Sequence, residues 1–307
     1  MTSLDPQIRA VLDGIAAQPQ PDTPPTLDQV RATARAGTIA LSPPASEMAS
    51  ITDIRVPGPN GDVRCIVNRP TDDDELPVLL YFHEGGCVLF SADEFNPVCT
   101  NLAAEAECIV VNVDFRVAPE HPFPAPLDDS FAVYAWCLAH AGDFGGDAAR
   151  VAVGGGSGGG YLAAALCLEA KAAGLPQPAL QVLIYPQVDM ADRSASMISV
   201  DAFVNESVIA GLVAAHVGDA VLDPRASPLR AADHGGLAPA FILAAGHDPL
   251  LDQGCAYRAI LQRSGVPTEY SRYDGMIHAF FAFGGAVDAA NDAVAEVASK
   301  LREAFAG

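Results

Sequence analysis

V-A-V-G-G-G-S-G-G-G-Y-L-A-A-A, at residues 151–165, sets one serine, Ser157, between two glycine triplets. Val151, Ala152 and Val153 ahead of it make a short apolar run suited to a buried strand, and the Ala- and Leu-rich segment 161–173 behind it suits a helix. The order strand, glycine turn, helix admits three readings. Gly155-x-Ser157-x-Gly159 satisfies the nucleophile elbow, a turn so sharp that the serine hydroxyl stands clear of the sheet edge. Glycines belong there because a Cβ would clash with the adjoining strand and helix, and because strained backbone angles cost glycine least. Gly154, Gly156 and Gly159 equally satisfy G-x-G-x-x-G, the dinucleotide fingerprint. The third reading, a flexible Gly/Ser linker, fails because neither flank is polar.

Composition narrows the function class. The chain has 307 residues, half of them hydrophobic, enough for one large α/β domain or two small ones. A formal net charge of −21 argues against nucleic-acid and anionic-membrane partners, which require clustered Lys and Arg; the acidity serves solubility. There is no apolar run long enough for a membrane span, and residues 1–10 lack the basic start and apolar core of a secretory signal. Seven cysteines without metal-ligand spacing read as buried thiols in a reducing cytoplasm.

Outward from the serine, the chain reads as an alternation of strands and helices. Residues 1–50 hold two helix-like pieces, 6–17 and 26–36, separated by the proline-rich 18–25; such a segment either frays or lies over something as a lid. Residues 51–56 and 63–68 read as a hairpin about Asn60-Gly61. The apolar run 78–82 marks a strand buried on both faces and ends in His83-Glu84-Gly85-Gly86. A helix over 97–107, a strand over 109–114 and a rigid proline loop through Pro119, Pro122, Pro124 and Pro126 follow. A helix over 128–140 leads back to Val151. Beyond the glycine stretch come a strand at 180–185, a polar and helical insertion over 186–223, a strand at 241–245, a helix at 253–264, a strand at 268–273 and a last helix at 288–305. The alternation predicts a mainly parallel sheet covered by helices on both faces.

An elbow serine needs a base and a group to orient that base, in chain order Ser, Asp, His. Asp248 and His278 each lie just past a strand, on the sheet edge where Ser157 emerges. The cofactor reading needs an acid about twenty residues after the glycines at the end of the next strand. The first acid there, Asp189, comes too late and follows a proline, so that reading falls away. Of the other polar residues, His121 is expected to be structural, Asp252 a cap or loop tie, and His247 a weaker base, because neighbours in extended chain point opposite ways.

H-E-G-G at 83–86, D-F-R-V-A-P-E-H-P-F-P-A at 114–125, G-x-S-x-G, D-P-L-L-D at 248–252 and the histidine before A-F at 279–280 together resemble the hormone-sensitive-lipase-like esterases, the bacterial family IV carboxylesterases. The match runs from about Val78 to the C-terminus. The resemblance implies an α/β-hydrolase fold under a helical cap made of residues 1–50 and the insertion at 186–223, with 51–307 as the catalytic domain and no cofactor or metal. It implies Ser157 as nucleophile, His278 as general base and acid, Asp248 as its orienting carboxylate, and the backbone N–H groups of Gly85, Gly86 and Gly158 as oxyanion donors. The substrate would be a small-molecule ester with a short-to-medium acyl or small aryl group; an amide, carbamate or lactone is the alternative. The resemblance also allows a homodimer. A ligand-binding protein on a hydrolase fold is disfavoured by the complete set of Ser157, Asp248 and His278.

Two departures from the family pattern stand out. Glu84 occupies a position usually held by Gly, and it is expected to support the loop with His83, turned away from the oxyanion or tied up by a hydrogen bond. Gly156 replaces the usual acid or Thr, and Gly158 the usual Ala, on either side of the nucleophile.

Overall fold

A computed structural model describes residues 3–18, 23–200 and 203–307; half of the proline-rich separator, residues 19–22, lies outside them. In chain order the elements are α1 (Pro6–Ala16), α2 (Leu27–Leu41), β1 (Ser50–Gly58), β2 (Gly61–Arg69), β3 (Leu76–Phe82), α3 (Ala92–Ala106), β4 (Ile109–Asp114), α4 (Ala125–His140), β5 (Gly146–Gly156) and α5 (Gly158–Ala173). Then follow β6 (Gln181–Ile184), α6 (Ala195–Ser199), α7 (Glu206–His216), β7 (Ala240–His247), α8 (Leu251–Arg263), β8 (Thr268–Ile277) and α9 (Asp288–Phe305).

The eight strands form one sheet in the order β1-β2-β4-β3-β5-β6-β7-β8. The β1–β2 hairpin and the β2–β4 pair are antiparallel, and every pair from β4 to β8 is parallel. The chain leaves β3 toward β4, then crosses back to place β5 on the other side of β3. Strand order therefore reverses at β3, and the loops after β3 and β5 open side by side at the switch point where ligands of open α/β sheets bind.

Alternate residues of β3 explain why it reads as one unbroken apolar run. Val78, Leu80 and Phe82 enter a core shared with α4, α5 and α8, while Leu79 and Tyr81 enter a second core shared with α3 and α9. Each face of the sheet thus carries its own helical layer, as the alternation of elements predicts.

Several boundaries differ from the sequence expectations. Helix α3 begins at Ala92 rather than at 97: Ser91 and Glu94 form a capping box, with the Ser91 N–H donating to Glu94 at 2.8 Å, and Pro97 is carried inside the helix. Helix α4 begins at Ala125, so Pro126 belongs to its first turn, where the missing N–H costs nothing. Helix α1 is anchored, not frayed: Ile8 is fully buried in the α3/α9 core, and the Asp5 N–H donates to Gly275 O at 3.1 Å. Six cysteines are buried and Cys255 is exposed, all of them free. Among the described residues, no helix is long and apolar enough to cross a membrane.

Candidate active site

Ser157 occupies the turn between β5 and α5 with φ 54° and ψ −115°, a strained conformation for a residue with a side chain. Three backbone hydrogen bonds impose it: Ser157 N–H donates to Ile184 O at 2.9 Å, and Ser157 O accepts from Tyr161 N at 3.0 Å and Gln187 N at 3.2 Å. A Cβ on Gly155 would stand 2.8 Å from the Gly159 backbone, and one on Gly159 would stand 2.6 Å from the carbonyl carbon of Phe82. Those two glycines are what the turn itself requires. The pair flanking the nucleophile has another cause. A Cβ on Gly156 would lie 2.8 Å from Cγ and Cδ of Glu84, and one on Gly158 would lie 2.8 Å from Cα of Gly86. The extra glycines make room for the loop after β3.

In that loop Gly85 and Gly86 have φ of 101° and 62°, which bends the chain back so that Gly85 O accepts from Val88 N and Leu89 N, both at 3.0 Å. The backbone of Gly86 meets the first residue of α5, Gly158, where helical N–H groups are unpaired and partially positive. His83 lies beneath, stacked on Phe115 with ring centroids 4.2 Å apart, and its Nδ1–H donates to Glu84 O at 2.8 Å. Burial lowers the pKa of this ring, opposed by that hydrogen bond, which favours its neutral form.

The other two predicted residues meet Ser157 from the far strands. Asp248, fully buried, follows β7 and accepts the Leu250 N–H on Oδ1 at 2.7 Å. Its Oδ2 lies 2.8 Å from His278 Nδ1, and His278 Nε2 lies 2.8 Å from Ser157 Oγ. Burial alone would depress the imidazole pKa; the charge of Asp248 and its hydrogen bond, assisted by the charge of Glu84, outweigh that and raise it. A hydroxyl, an imidazole and a carboxylate in one hydrogen-bonded line can move a proton off the hydroxyl as it attacks an acyl carbon.

The remaining candidates stay apart from this line. His121 is exposed, and Asp252 accepts the Ser196 N–H on Oδ2 at 2.9 Å, tying α8 to α6. His247 ends β7 with no partner for Nε2. Among the described residues, no group of three or more His, Cys, Asp or Glu could hold a metal.

Two site residues escape a reading of the sequence. The Tyr185 hydroxyl donates to Oε1 of Glu84, and its ring centroid lies 4.8 Å from that of His278. Leu212 of α7 has Cδ1 3.0 Å from where a Cβ on Gly86 would stand. The position of Tyr185 at a strand end was a usable signal for the first; nothing local in sequence marks the second.

Comparison with known proteins agrees with this architecture. A family model described as alpha/beta hydrolase fold matches residues 79–282. The carboxylic ester hydrolase LipN of Mycobacterium tuberculosis is 36% identical over 265 residues, covering 82% of this chain and 70% of its own. The ethyl acetate hydrolase of Pseudomonas putida is 33% identical, covering 90% of each chain. A solved hyperthermophilic esterase from the archaeon Pyrobaculum calidifontis superposes with a TM-score of 0.92 at 32% identity, covering 98% of this chain and 99% of its own. With the fold, the strand-end loops and these relatives in agreement, the chain belongs to the hormone-sensitive-lipase-like carboxylesterases of the α/β-hydrolase superfamily.

Proposed function

We propose that Ser157, His278 and Asp248 carry out ester hydrolysis by way of an acyl-enzyme. The enzyme is an ester hydrolase, as its relatives are. The observation that carries the assignment of residues is the unbroken line from Ser157 Oγ through His278 to Asp248, at 2.8 Å for each step. His278 takes the hydroxyl proton as Ser157 attacks the acyl carbon and returns it to the leaving alcohol. Water, deprotonated by the same imidazole, then releases the acid. The N–H groups of Gly85, Gly86 and Gly158 hold the oxyanion; a donor set of this kind is worth about a hundredfold to a thousandfold in rate per donor.

Substrates are esters of short-to-medium acyl or small aryl groups. Leu212 on α7 closes over Gly86, and Arg31 on α2 reaches Val88 O at 3.0 Å; these contacts support a cap built from the N-terminal segment and the 186–223 insertion. The free, mostly buried thiols fit a cytoplasmic enzyme.

Hydrolysis of p-nitrophenyl acetate and butyrate by the wild type and by S157A tests the assignment. Loss of turnover in S157A, together with stoichiometric labelling of the wild type but not the variant by an organophosphonate, is the expected result. Equal rates in the two proteins would refute it.

A further inference from the structure

Glu84 is the feature that the hydrolytic line does not use. It sits one residue before the glycine donors, 3% exposed, with its carboxyl where a side chain on residue 156 would begin and its Oε1 bonded to the Tyr185 hydroxyl. A side chain at 156 would require this carboxyl to move, because even a Cβ there would lie 2.8 Å from two of its carbons. The glutamate in the loop and the glycine before the nucleophile are therefore one arrangement: the space beside Ser157 is filled from the neighbouring loop instead of from the elbow. Tyr185, which grips the carboxyl, also packs on His278 with ring centroids 4.8 Å apart.

We infer that Glu84, clamped by Tyr185, is a positioning residue that acts on the imidazole of His278 from the oxyanion loop, in addition to Asp248; this rests on the serine-esterase reading above. The ionisable groups facing Glu84 are Tyr185 at the end of β6, Tyr81 on β3, and His278 and Asp248 beyond β8 and β7. Burial raises the Glu84 carboxyl to about 7, against the lowering effects of the His278 charge and the Tyr185 hydrogen bond. Near neutrality it therefore exists in both forms. Ionised, it favours the imidazolium; protonated, it withdraws that support. The enzyme's response to pH then belongs to the Glu84 and His278 pair and not to the imidazole alone.

The test is the pH dependence of kcat/KM for the wild type, E84Q, Y185F and E84Q/Y185F, with active sites counted by organophosphonate titration. The acidic limb reports the free-enzyme imidazole. Removing a neighbouring negative charge should move its midpoint down in E84Q by about half a pH unit or more. Y185F, which weakens the hold on the ionised carboxyl, should shift it the same way, and the double variant should go no further than E84Q. An unchanged midpoint in a titratable E84Q enzyme overturns the inference. Failure of the wild type to be labelled at Ser157 would overturn the esterase reading instead, so the two failures are distinguishable.

If E84Q does not fold, E84G and E84G/G156D decide the matter. The second returns a carboxyl to the same space from the elbow side. It should bring the midpoint back toward the wild-type value, whereas identical limbs in the two variants overturn the inference.

Discussion

Leu212 of α7 and Gly86 of the loop after β3 are packed so closely that Cβ and Cδ1 of the leucine lie 3.1 and 3.0 Å from the point where a Cβ on Gly86 would stand. The insertion thus touches the loop that carries the proposed oxyanion donors. Glycine is needed at 86 twice over, for its φ of 62° and for the room it leaves. G86A should lose about a hundredfold or more in kcat/KM through displacement of a donor. L212A should shift preference toward longer acyl chains by roughly tenfold relative to acetate, the scale on which pockets discriminate between chain lengths. A p-nitrophenyl ester series from acetate to decanoate measures both effects; an unaltered chain-length profile in L212A would remove the leucine from the acyl pocket.

The two acids of D-P-L-L-D should separate cleanly. Asp248 lies 2.8 Å from His278 Nδ1, and in the proposed triad this contact sets the imidazole tautomer, so D248N should cost about a thousandfold to ten-thousandfold in kcat, by analogy with the serine-protease triad. Asp252 only joins α8 to α6 through Ser196. D252N should stay within a few-fold in kcat while losing about 1 kcal/mol of stability in urea melts. A larger kinetic loss in D252N than in D248N would reverse the assignment.

Much of this was legible in the sequence, for a physical reason. The elbow, the glycine loop and the positions of Asp248 and His278 are each encoded locally, as a strand that ends in a short polar or glycine-rich turn. Parallel strands then deliver those turns to one edge of the sheet. The opacity lies in contacts between distant segments: Glu84 reads as a loop variant until Tyr185, 101 residues away, is seen to hold it. Gly156 and Gly158 likewise look like surplus flexibility until Glu84 and Gly86 are placed beside them. The start of α3 is obscured for a different reason: Pro97, a residue suited to a first turn, stands inside the helix, while the Ser91 and Glu94 capping box marks its true start.

Arg31 fastens α2 to the body of the enzyme. Its guanidinium donates to Val88 O at 3.0 Å and Ala118 O at 2.7 Å, and it forks onto both oxygens of Glu120. R31A should raise KM several-fold with a smaller change in kcat, and hydrogen exchange of the α2 amides should quicken. R31K should recover only part of this, because an ammonium cannot serve the planar, bidentate geometry. Arg31 holds the Glu120 carboxyl down to about 2 by hydrogen bonding. The pairing therefore persists through the ordinary carboxylate range and is lost only as pH falls toward 2. Unchanged exchange in R31A would show that α2 is held by other contacts.

Glu84 should leave a signature in stability as well as in rate. Its folded pKa, about 7, lies above its ordinary value of 4.5 because burial penalises the charge. A group raised in this way contributes stability that is fully present below its unfolded pKa and lost as pH rises through the folded one. The shift corresponds to roughly 3 kcal/mol drawn off between about pH 4.5 and 7. E84Q keeps a similar shape without a titrating group, so its stability relative to the wild type should rise by that order between pH 4.5 and 8. His278, also raised, contributes with the same sign in both proteins and cancels in the difference, apart from the part that Glu84 itself induces. Urea unfolding of both proteins at pH 4.5, 6 and 8 measures this. A difference that stays flat would mean that Glu84 is ionised throughout, with Tyr185 and its surroundings solvating the charge well enough to cancel the cost of burial.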